Sequence, residues 1–562
     1  MRGIAKPQTT ELALGWRAVP ILSVAAMVAI VVTALALGSL GAPATGASEP
    51  PLRAYAKLGG LSGDAVTLSS DGSTALVGGE GSATVYVRLG NSWIAQARLE
   101  PVDGSSGDAF GCSVALSADG DTALVGAPGR KADSSTTATP SAAWLFTRSD
   151  GTWVQQATLR PPSEAGAAEP LGCGAGSFGD SKGFGGGFGS TVALSGNGSV
   201  VLVGAPGADR YTGGVWAYTR SGSTWSQDGP RLLAPEVTIG ALFGASVALS
   251  ADGDTALIGA PADVPRRCRS TGAYAGGAWR FTRATGVWAQ SGTRLAPSHA
   301  CEGSFGQSIA LSSDADTALI SDAGRVLPFV RSGSSWSRQG SPLSCLDADC
   351  GALYGFSLSL ALSDGGNVAL VGTTPRHNCG RHMYTLCGPH GLALAFNRFG
   401  TTWVQQRPAF EGSTSFGSGV ALSGSGESGL IGEPGGADAY SIPQPLPNNF
   451  SAGELSTTHS GAIDQQIAGS TAGTFVTSVT ASAKELGLAH DSHHALIDYG
   501  RGMARVAGPG IVTVKIKPTP RVRRALARHR SISPKAYVTV RFKPHAGAAP
   551  SPQTFTVYLD RG

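Results

Sequence analysis

Short runs of alternating apolar and polar residues, separated by glycine-containing turns, fill the chain between residues 52 and 443. In one run, Val114 and Leu116 point to one side and their neighbours to the other, and the alternation resumes after Asp119-Gly120. A period of two predicts half-buried β-strands, and Asp-Gly between them predicts a tight hairpin turn with positive φ at both central residues. The same signal recurs at Asp71-Gly72, Asn197-Gly198 and Asp252-Gly253.

A second hairpin carries an arginine and a tryptophan at a constant spacing. Its first strand ends in a pattern such as Phe146-Thr147-Arg148, and the Trp follows five residues after the Arg. Residues at this spacing across a four-residue turn face each other, so each guanidinium is expected to stack on its indole as part of the scaffold. A ligand site repeated six times is the alternative. The pairs are Arg88 and Trp93, Arg148 and Trp153, Arg220 and Trp225, Arg283 and Trp288, Arg331 and Trp336, and Arg398 and Trp403.

These hairpins belong to a sequence repeat that occurs seven times in the chain. It opens with Phe-Gly, closes with Gly-Ala-Pro, and is clearest at 110–128, 188–206 and 243–261. Altered copies begin at Phe305, Tyr354 and Phe416, and a degenerate first copy runs from about residue 62 to 78. Two hairpins make a four-stranded unit, and repetition at roughly 50 to 80 residues predicts an all-β fold, a seven-bladed β-propeller.

The predicted ring closes with a strand from the beginning of the chain. The seventh copy reaches Pro434, but no Trp-containing strand follows before Pro443. The segment 54–58 instead matches the strands that follow each Trp, such as 95–99. We predict that this N-terminal strand completes the last unit and protects two sheet edges.

The Phe-Gly opening and the Gly-Ala-Pro close resemble FG-GAP repeats, the units of the seven-bladed propeller of integrin α chains, in a bacterial type. The resemblance covers residues 52–443 and implies extracellular binding or adhesion without naming a ligand. Calcium-binding members have a longer acidic loop between the first two strands. Here that loop is predicted to be a two-residue turn with at most two carboxylates, such as Asp252 and Asp254. Because Ca²⁺ takes about six to eight oxygen ligands, no calcium or other cofactor is expected.

Composition and charge divide the chain into regions with different surfaces. Glycine accounts for 81 of 562 residues and charged residues for 14%, which is typical of short strands joined by turns. From Gln444 onward there are 14 Lys/Arg and 6 Asp/Glu, an excess of 8, so with a total of +4 the preceding part sums to −4. Basic residues, an apolar run at 18–40 and small-residue triplets predict that 1–47 is a signal peptide or a retained membrane anchor. The remainder is therefore expected outside the cytoplasm, secreted or at the cell surface.

A linker is predicted at 444–470 and a second, sandwich-like β domain at 471–562. Segments that alternate with period two, at 511–517, 537–542 and 555–559, resemble an immunoglobulin-like sandwich of the sort found at the end of bacterial surface proteins. Between the first two, Arg521 to Arg530 predicts a crossover helix with Val522, Ala525 and Leu526 on one face and a basic outer face. That face is either solvated or attracts an anionic cell-wall polymer or membrane; nucleic acid is not an expected partner.

Eight cysteines and one histidine-containing loop are the remaining candidates for chemistry. An even count in an exported chain predicts disulfides, and the loops that carry the cysteines share one face of the predicted ring. Pairing in chain order gives Cys112–Cys173, Cys268–Cys301, Cys345–Cys350 and Cys379–Cys387, with other connectivities open. Cys379, His382, Cys387 and His390 also match a tetrahedral zinc site, but an oxidising compartment favours the disulfide.

The interpretation that accounts for most of these patterns is a monomeric, exported, non-enzymatic propeller that binds a protein or glycan through loops on its cysteine-bearing face. The inner strands supply Ser, Ala, Val and Leu rather than an acid/base pair, which favours binding over catalysis. The alternative is an extracellular hydrolase or metal-dependent lectin that uses the Cys/His loop 377–390 or the central channel. The basic segment 266–269 on the same face is either solvated or contacts an anionic partner.

Overall fold

The computed structural model describes residues 54–63, 65–79, 81–102, 109–129, 140–161, 187–268, 274–296, 303–343, 356–375, 390–406, 409–442, 450–457, 462–469, 473–482, 486, 488, 496–506, 510–528, 535–544 and 553–558. The predicted signal or anchor at 1–47 lies outside them. Within them, no helix has the length and hydrophobicity to cross a bilayer. Strands dominate, so the prediction of an all-β fold is confirmed.

Small antiparallel sheets follow one another from Ala56 to Ser441, each built from strands that are mostly consecutive in the chain. The strands are β1 Ala56–Ser62, β2 Ala65–Leu68, β3 Thr74–Gly79, β4 Ser82–Leu89, β5 Ser92–Leu99, β6 Ser113–Leu116, β7 Thr122–Ala127, β8 Ala142–Ser149, β9 Thr152–Leu159, β10 Thr191–Leu194, β11 Val200–Gly204, β12 Val215–Ser221, β13 Thr224–Gln227, β14 Ser246–Leu249, β15 Thr255–Ala260, β16 Gly277–Ala284, β17 Val287–Gln290, β18 Ile309–Leu311, β19 Thr317–Asp322, β20 Arg325–Ser332, β21 Ser335–Arg338, β22 Phe356–Leu362, β23 Val368–Pro375, β24 Leu392–Phe399, β25 Thr402–Gln405, β26 Phe410–Glu411, β27 Val420–Leu422 and β28 Ser428–Ser441. The first six sheets are β2–β5, β6–β9, β10–β13, β14–β17, β18–β21 and β22–β25, with β26 also paired to β24; the seventh has the order β1-β28-β27.

These sheets form a closed ring. The first strand of each sheet contacts the first strand of the next, from β2 through β6, β10, β14, β18 and β22 to β27, and β27 contacts β2. Backbone hydrogen bonds of 2.7–3.0 Å repeat this circuit just beyond the strand ends, each N–H donating to the C=O of the next sheet. They run from Ser70 to Ala118, then to Gly196, Ala251, Ser313, Asp364 and Gly424, and back to Ser70. A closed ring of such sheets is a β-propeller.

Strand β1 completes the last sheet, as the sequence predicts. It pairs antiparallel with β28, placing Ala56 opposite Ala439 and Leu58 opposite Ala437. β28 folds back on itself, because the N–H of Ile442 donates to the C=O of Glu427 at 2.8 Å. The beginning and the end of the ring therefore share one sheet, and β1 covers the edge of β28.

The connections lie on two opposite faces of the ring. We call the side with the turns between first and second, and third and fourth, strands the turn face. The loops between second and third strands, and those that lead to the next sheet, lie at the other ends of the strands and form the loop face.

The turn after each first strand differs from the prediction. In the second sheet, Ser117 N–H donates to Thr122 O at 2.9 Å, so four residues separate the closing pair. Gly120 has a φ of 73°, whereas Asp119 is not among the residues of positive φ. The predicted turn with two left-handed residues is wrong because Asp119 Oδ1 accepts hydrogen bonds from Ser117 Oγ (2.5 Å) and the Asp121 N–H (3.0 Å), which stabilise a wider turn.

Beyond the ring, the described elements are β29 Phe450–Thr457, β30 Ile463–Gly469, β31 Gly473–Ser482, β32 Leu496–Val506, β33 Gly510–Pro518, α1 Pro520–Arg528, β34 Lys535–Pro544 and β35 Gln553–Tyr558. The strands form one further antiparallel sheet with the order β29-β30-β33-β32-β31-β34-β35. The predicted linker at 444–470 is wrong, since it contains β29 and β30. In β30 the apolar period of two is interrupted, because the buried position between Ile463 and Ile467 is Gln465.

The predicted basic helix is present as α1, and it packs on the core of this sheet. Val522, Ala525 and Leu526 are buried in one cluster with Tyr499 and Ile516. The arginines of α1 face away from that cluster. The core therefore lies on one side of the sheet, and the other side faces solvent.

Candidate functional site

The Phe-Gly and Gly-Ala-Pro motifs join neighbouring sheets. Phe110 is fully buried against Trp144, with ring centroids 5.4 Å apart. Gly111 has a φ of 92°, and a Cβ there would lie 2.3 Å from the carbonyl oxygen of Gly79 in the preceding sheet. A Cβ on Gly126 would lie 2.2 Å from the oxygen of Gly189 in the next sheet. The motifs that recur most strongly therefore serve packing.

Hydroxyl groups on the inner strands add a second link between sheets. Ser113 Oγ donates to the oxygen of Gly189 at 2.8 Å, and Ser246 Oγ donates to that of Gly306 at 2.7 Å. Thr191 and Ser359 make the same contact, each to the glycine of the next Phe-Gly motif or its equivalent. These hydroxyls are bonded to the scaffold.

The predicted Arg–Trp pairs occupy directly opposed positions in all six outer hairpins. Arg148 lies over Trp153 at 5.4 Å from the ring centroid. Elsewhere the guanidinium groups bind oxygen atoms instead: Arg283 Nε donates to Asp228 Oδ2 of the preceding sheet at 2.8 Å, and Arg398 Nη1 donates to Thr317 Oγ1 at 2.7 Å. The expected stacking is thus mostly replaced by hydrogen bonds to oxygen acceptors, which lie in the preceding sheet for Arg283 and Arg398 and in their own sheet for Arg220 and Arg331.

Carboxylates on the turn face are held by hydrogen bonds inside their own turns. Asp71 Oδ1 accepts from Ser69 Oγ at 2.6 Å and from the Ser73 N–H at 2.9 Å. Burial opposes ionisation of Asp71, but these hydrogen bonds outweigh it and hold its pKa below the ordinary value. No group of three or more His, Cys, Asp or Glu side chains in the described part of the chain is placed to hold a metal ion.

Asp364 lies in the circle of backbone hydrogen bonds, and the sequence analysis missed it. Its two carboxylate oxygens accept from Ser70 Oγ and Ser313 Oγ, each at 2.5 Å. Ser70 belongs to a sheet two places further round the ring, and the bond passes Gly424, where a Cβ would lie 2.1 Å from Asp364 Oδ2. The sequence does distinguish this residue, because the other copies have a small or hydroxyl-bearing residue at the position that Asp364 occupies.

Most of the predicted cysteine and zinc residues lie outside the described part of the chain. Of the eight cysteines, Cys112 and Cys268 are described, and neither is a free thiol. Cys379, His382 and Cys387 lie outside the described residues, and His390 is exposed immediately after them. The pairings and the zinc alternative therefore stay predictions.

The loop face of the third sheet contains a left-handed segment without glycine. Asp209, Arg210 and Tyr211 have φ of 49°, 56° and 65°. Each such residue costs roughly 1–2 kcal/mol relative to right-handed backbone, so neighbouring structure must hold the segment in place. The C=O of Tyr211 accepts from the Leu242 N–H at 2.8 Å, and the Gly213 N–H donates to the C=O of Ala208 at 2.9 Å. Strain of this kind is concentrated at functional sites.

Large side chains around this segment are exposed on the loop face. Tyr211 is 38% exposed, Ile239 67% and Tyr274 47%. Arg210, next to Tyr211 in sequence, and Arg266, in the same loop as Tyr274, are exposed as well. We call these five residues, which come from loops of the third and fourth sheets, the loop-face patch.

Buried polar contacts hold the patch in place. Asp263, which is 2% exposed, accepts from the Thr238 N–H (3.1 Å) and Thr238 Oγ1 (2.9 Å), and it pairs with Arg294 at 3.1 Å. Its backbone C=O accepts from the Ala275 N–H at 3.1 Å. The residues next to Ile239 and Tyr274 are therefore bonded to the same buried residue, Thr238 to the carboxylate of Asp263 and Ala275 to its backbone carbonyl, which makes the patch a preformed surface.

A shallow cavity of about 410 Å³ lies elsewhere, between the outer strands β5 and β9. Gln96, Arg98, Trp153 and Gln155 are among its lining residues. Gln96 Oε1 accepts from Trp153 Nε1 at 3.0 Å and from Arg148, so its polar groups bond to one another. This cavity is a weaker candidate than the loop-face patch.

Comparisons with known proteins agree with the repeat. The model of the FG-GAP repeat family matches residues 93–143, which contain the second Phe-Gly and Gly-Ala-Pro motifs. No curated protein sequence matches. Among solved structures, the chain is similar to the β-propeller domain of Myceliophteria thermophila Cps50 (Swd1), with 11% identity, a TM-score of 0.46 and coverage of 70% of this chain and 100% of that one.

Two further similar structures belong to larger assemblies or enzymes. The hydrazine synthase of Kuenenia stuttgartiensis has 12% identity and a TM-score of 0.42, and covers 72% of this chain and 99% of that one. A chain of a mitotic checkpoint complex has 13% identity and a TM-score of 0.41, with coverage of 72% and 98%.

Proposed function

We propose that the chain is a non-enzymatic binding protein that presents the loop-face patch to a protein partner outside the cytoplasm. The observation that carries this proposal is the left-handed segment that exposes Arg210 and Tyr211 beside Ile239 and Tyr274. Tyrosine and arginine are enriched among the residues that dominate binding energy in protein interfaces. A strained, hydrogen-bonded platform presents them with little further loss of conformational entropy on binding.

The wider assignment is part of the same proposal. The seven sheets are taken as seven FG-GAP blades of a bacterial, integrin α-like type, and the C-terminal sheet as an immunoglobulin-like domain. The apolar segment at 18–40 would direct the chain to the cell surface or to secretion, and disulfides would fix the loop face. The family match at 93–143 and the ring of sheets support the part of this assignment that concerns FG-GAP repeats in a propeller.

The proposal is tested by separating binding from stability. Tyr211→Gly removes the exposed ring and also relieves a left-handed backbone, so we expect it to raise the free energy of unfolding by roughly 1 kcal/mol. Binding of the purified full chain to its own cell-surface protein fraction should nevertheless fall about tenfold, since interface aromatics contribute on that scale.

The matched control is Leu89→Gly, which removes an exposed side chain of comparable size from the turn face. It should leave binding unchanged. Equal binding by Tyr211→Gly and the unmodified chain, or equal loss in both variants, would contradict the assignment of the loop face. A glycan array run with the same variants reveals whether a sugar rather than a protein is bound.

A further inference from the structure

The solvent side of the C-terminal sheet is strongly basic. Residues along its strands alternate between the buried core and this side. Six exposed Lys and Arg residues define what we call the basic sheet face: Arg501 and Arg505 on β32, Lys515 and Lys517 on β33, and Arg541 and Lys543 on β34. This surface is distinct from α1, whose apolar side packs on the opposite, core side of the sheet.

The register arranges these charges in rows on both sides of an uncharged strand. Arg505 lies opposite Thr474 of β31, and Thr474 lies opposite Lys543 of β34. In the next outward-facing row, Val476 of β31 lies between the exposed Met503 of β32 and Arg541 of β34, so this row is charged on the β34 side. Adjacent strands are about 4.8 Å apart, so the basic residues of β32 and β34 lie roughly 10 Å apart across β31. The floor between them carries Thr474, Val476 and Ser478, which are half-buried.

Among the side chains that the structure describes, two carboxylates share this side of the sheet, Asp464 opposite Lys515 and Asp498 on β32, so six basic residues leave an excess of four positive charges. Arg501 lies directly opposite Lys517, and like charges at directly opposed positions destabilise a sheet. None of the six residues forms an ion pair with another described residue. An arrangement that costs stability in the free protein is expected where an anionic partner supplies the missing charge.

We propose that the basic sheet face binds a linear, phosphate-bearing polymer that lies along β31. The charges lie about 6.6 Å apart along β33 and β34 and about 13 Å apart along β32. This spacing matches a chain with repeated anionic groups, which reaches both rows at once, whereas a single phosphate contacts one row. The hydroxyls of Thr474 and Ser478 on the floor add donors for phosphate oxygens. This surface shares no residue with the loop-face patch, so each proposal can be tested without the other.

The test measures the binding of fluorescently labelled inorganic polyphosphate to the full chain by polarisation, as a function of salt. Six contacts to a flexible polyanion predict a slope of log K against log salt of about −4, because each contact contributes about 0.7. R501Q/R505Q/R541Q should reduce the slope to about −2 and weaken binding by at least about tenfold at low salt. The variant R521Q/R523Q/R524Q removes the same charge from α1 and should retain the slope.

Equal losses in the two triple variants would overturn the proposal, because they would show attraction by net charge alone. Absence of polyphosphate binding by the unmodified chain at about 50 mM salt would also overturn it. So would tighter binding to vesicles containing anionic phospholipid, or to duplex DNA, than to polyphosphate. Circular dichroism checks folding, and the single variant K543Q, expected to reduce the slope by about 0.7, replaces the sheet triple if that variant unfolds. Tyr211→Gly should leave polyphosphate binding unchanged.

Discussion

Replacing Gly111 by alanine tests the contact between neighbouring sheets. The backbone at this residue has a φ of 92°, which costs an alanine roughly 1–2 kcal/mol. The new Cβ would also lie 2.3 Å from the oxygen of Gly79 and 2.5 Å from that of Ser82, so two backbone segments of the preceding sheet must move. Displacement of packed structure of this kind costs about 1–3 kcal/mol. The total expected loss in the free energy of unfolding is about 2–5 kcal/mol.

Gly90→Ala is the matched control. Gly90 has a φ of 62°, and no atom lies within 4 Å of the position of a Cβ. Its substitution should therefore cost only the backbone part, about 1 kcal/mol. Denaturant unfolding followed by tryptophan fluorescence measures both, since the core Trp144 packs against the motif. If Gly111→Ala is no more destabilising than Gly90→Ala, the Phe-Gly motif does not hold the sheets together.

Three further outcomes are expected. Arg283→Ala breaks a largely buried pair with Asp228 of the preceding sheet and should lower stability by about 1–3 kcal/mol, whereas Arg220→Ala, whose Nε donates to a carbonyl of its own turn, should cost less; chemical denaturation compares them. Burial, with the charge of Glu433, raises the pKa of Asp438, so the contribution of this group to stability is lost as pH rises above its unfolded-state value of about 4 and through the folded-state pKa. In thermal melts, the melting temperature of Asp438→Asn should therefore rise relative to that of the unmodified chain as the pH is raised through this range. Deleting 52–60 removes most of β1 and should lower the melting temperature of the ring, and an unchanged temperature would refute closure by that strand.

The repeats made the architecture predictable because each copy contains the same pattern of strands and turns. Period-two alternation located the strands, and the constant spacing from Arg to Trp located the outer hairpins, whose register places Arg148 opposite Trp153. The match between 54–58 and the strands after each Trp located the closing strand. The predicted turn type was wrong because the side chain of Asp119 accepts hydrogen bonds within its own turn. The statistical preference of Asp-Gly for tight hairpin turns does not take that contact into account.

The candidate surfaces were harder to predict, because they depend on packing that the sequence does not display. Asp209, Arg210 and Tyr211 contain no glycine, so nothing in their sequence indicates a left-handed backbone. The basic sheet face joins residues from strands whose order in the sheet, β33-β32-β31-β34, differs from their order in the chain, so its charges look scattered along the sequence. Gln465 conceals a strand for a similar reason, since a buried polar residue interrupts the apolar pattern.

Site-specific photo-crosslinking tests the central claim, that the loop face is where a partner binds. A photoreactive amino acid is placed at Ile239 in the loop-face patch or, as a control, at Leu89 on the turn face; both positions are well exposed. The account predicts a discrete protein adduct from position 239 on intact cell surfaces, removed by excess unlabelled chain, and none from position 89. An adduct from position 89 alone, or equal adducts from both, would contradict it.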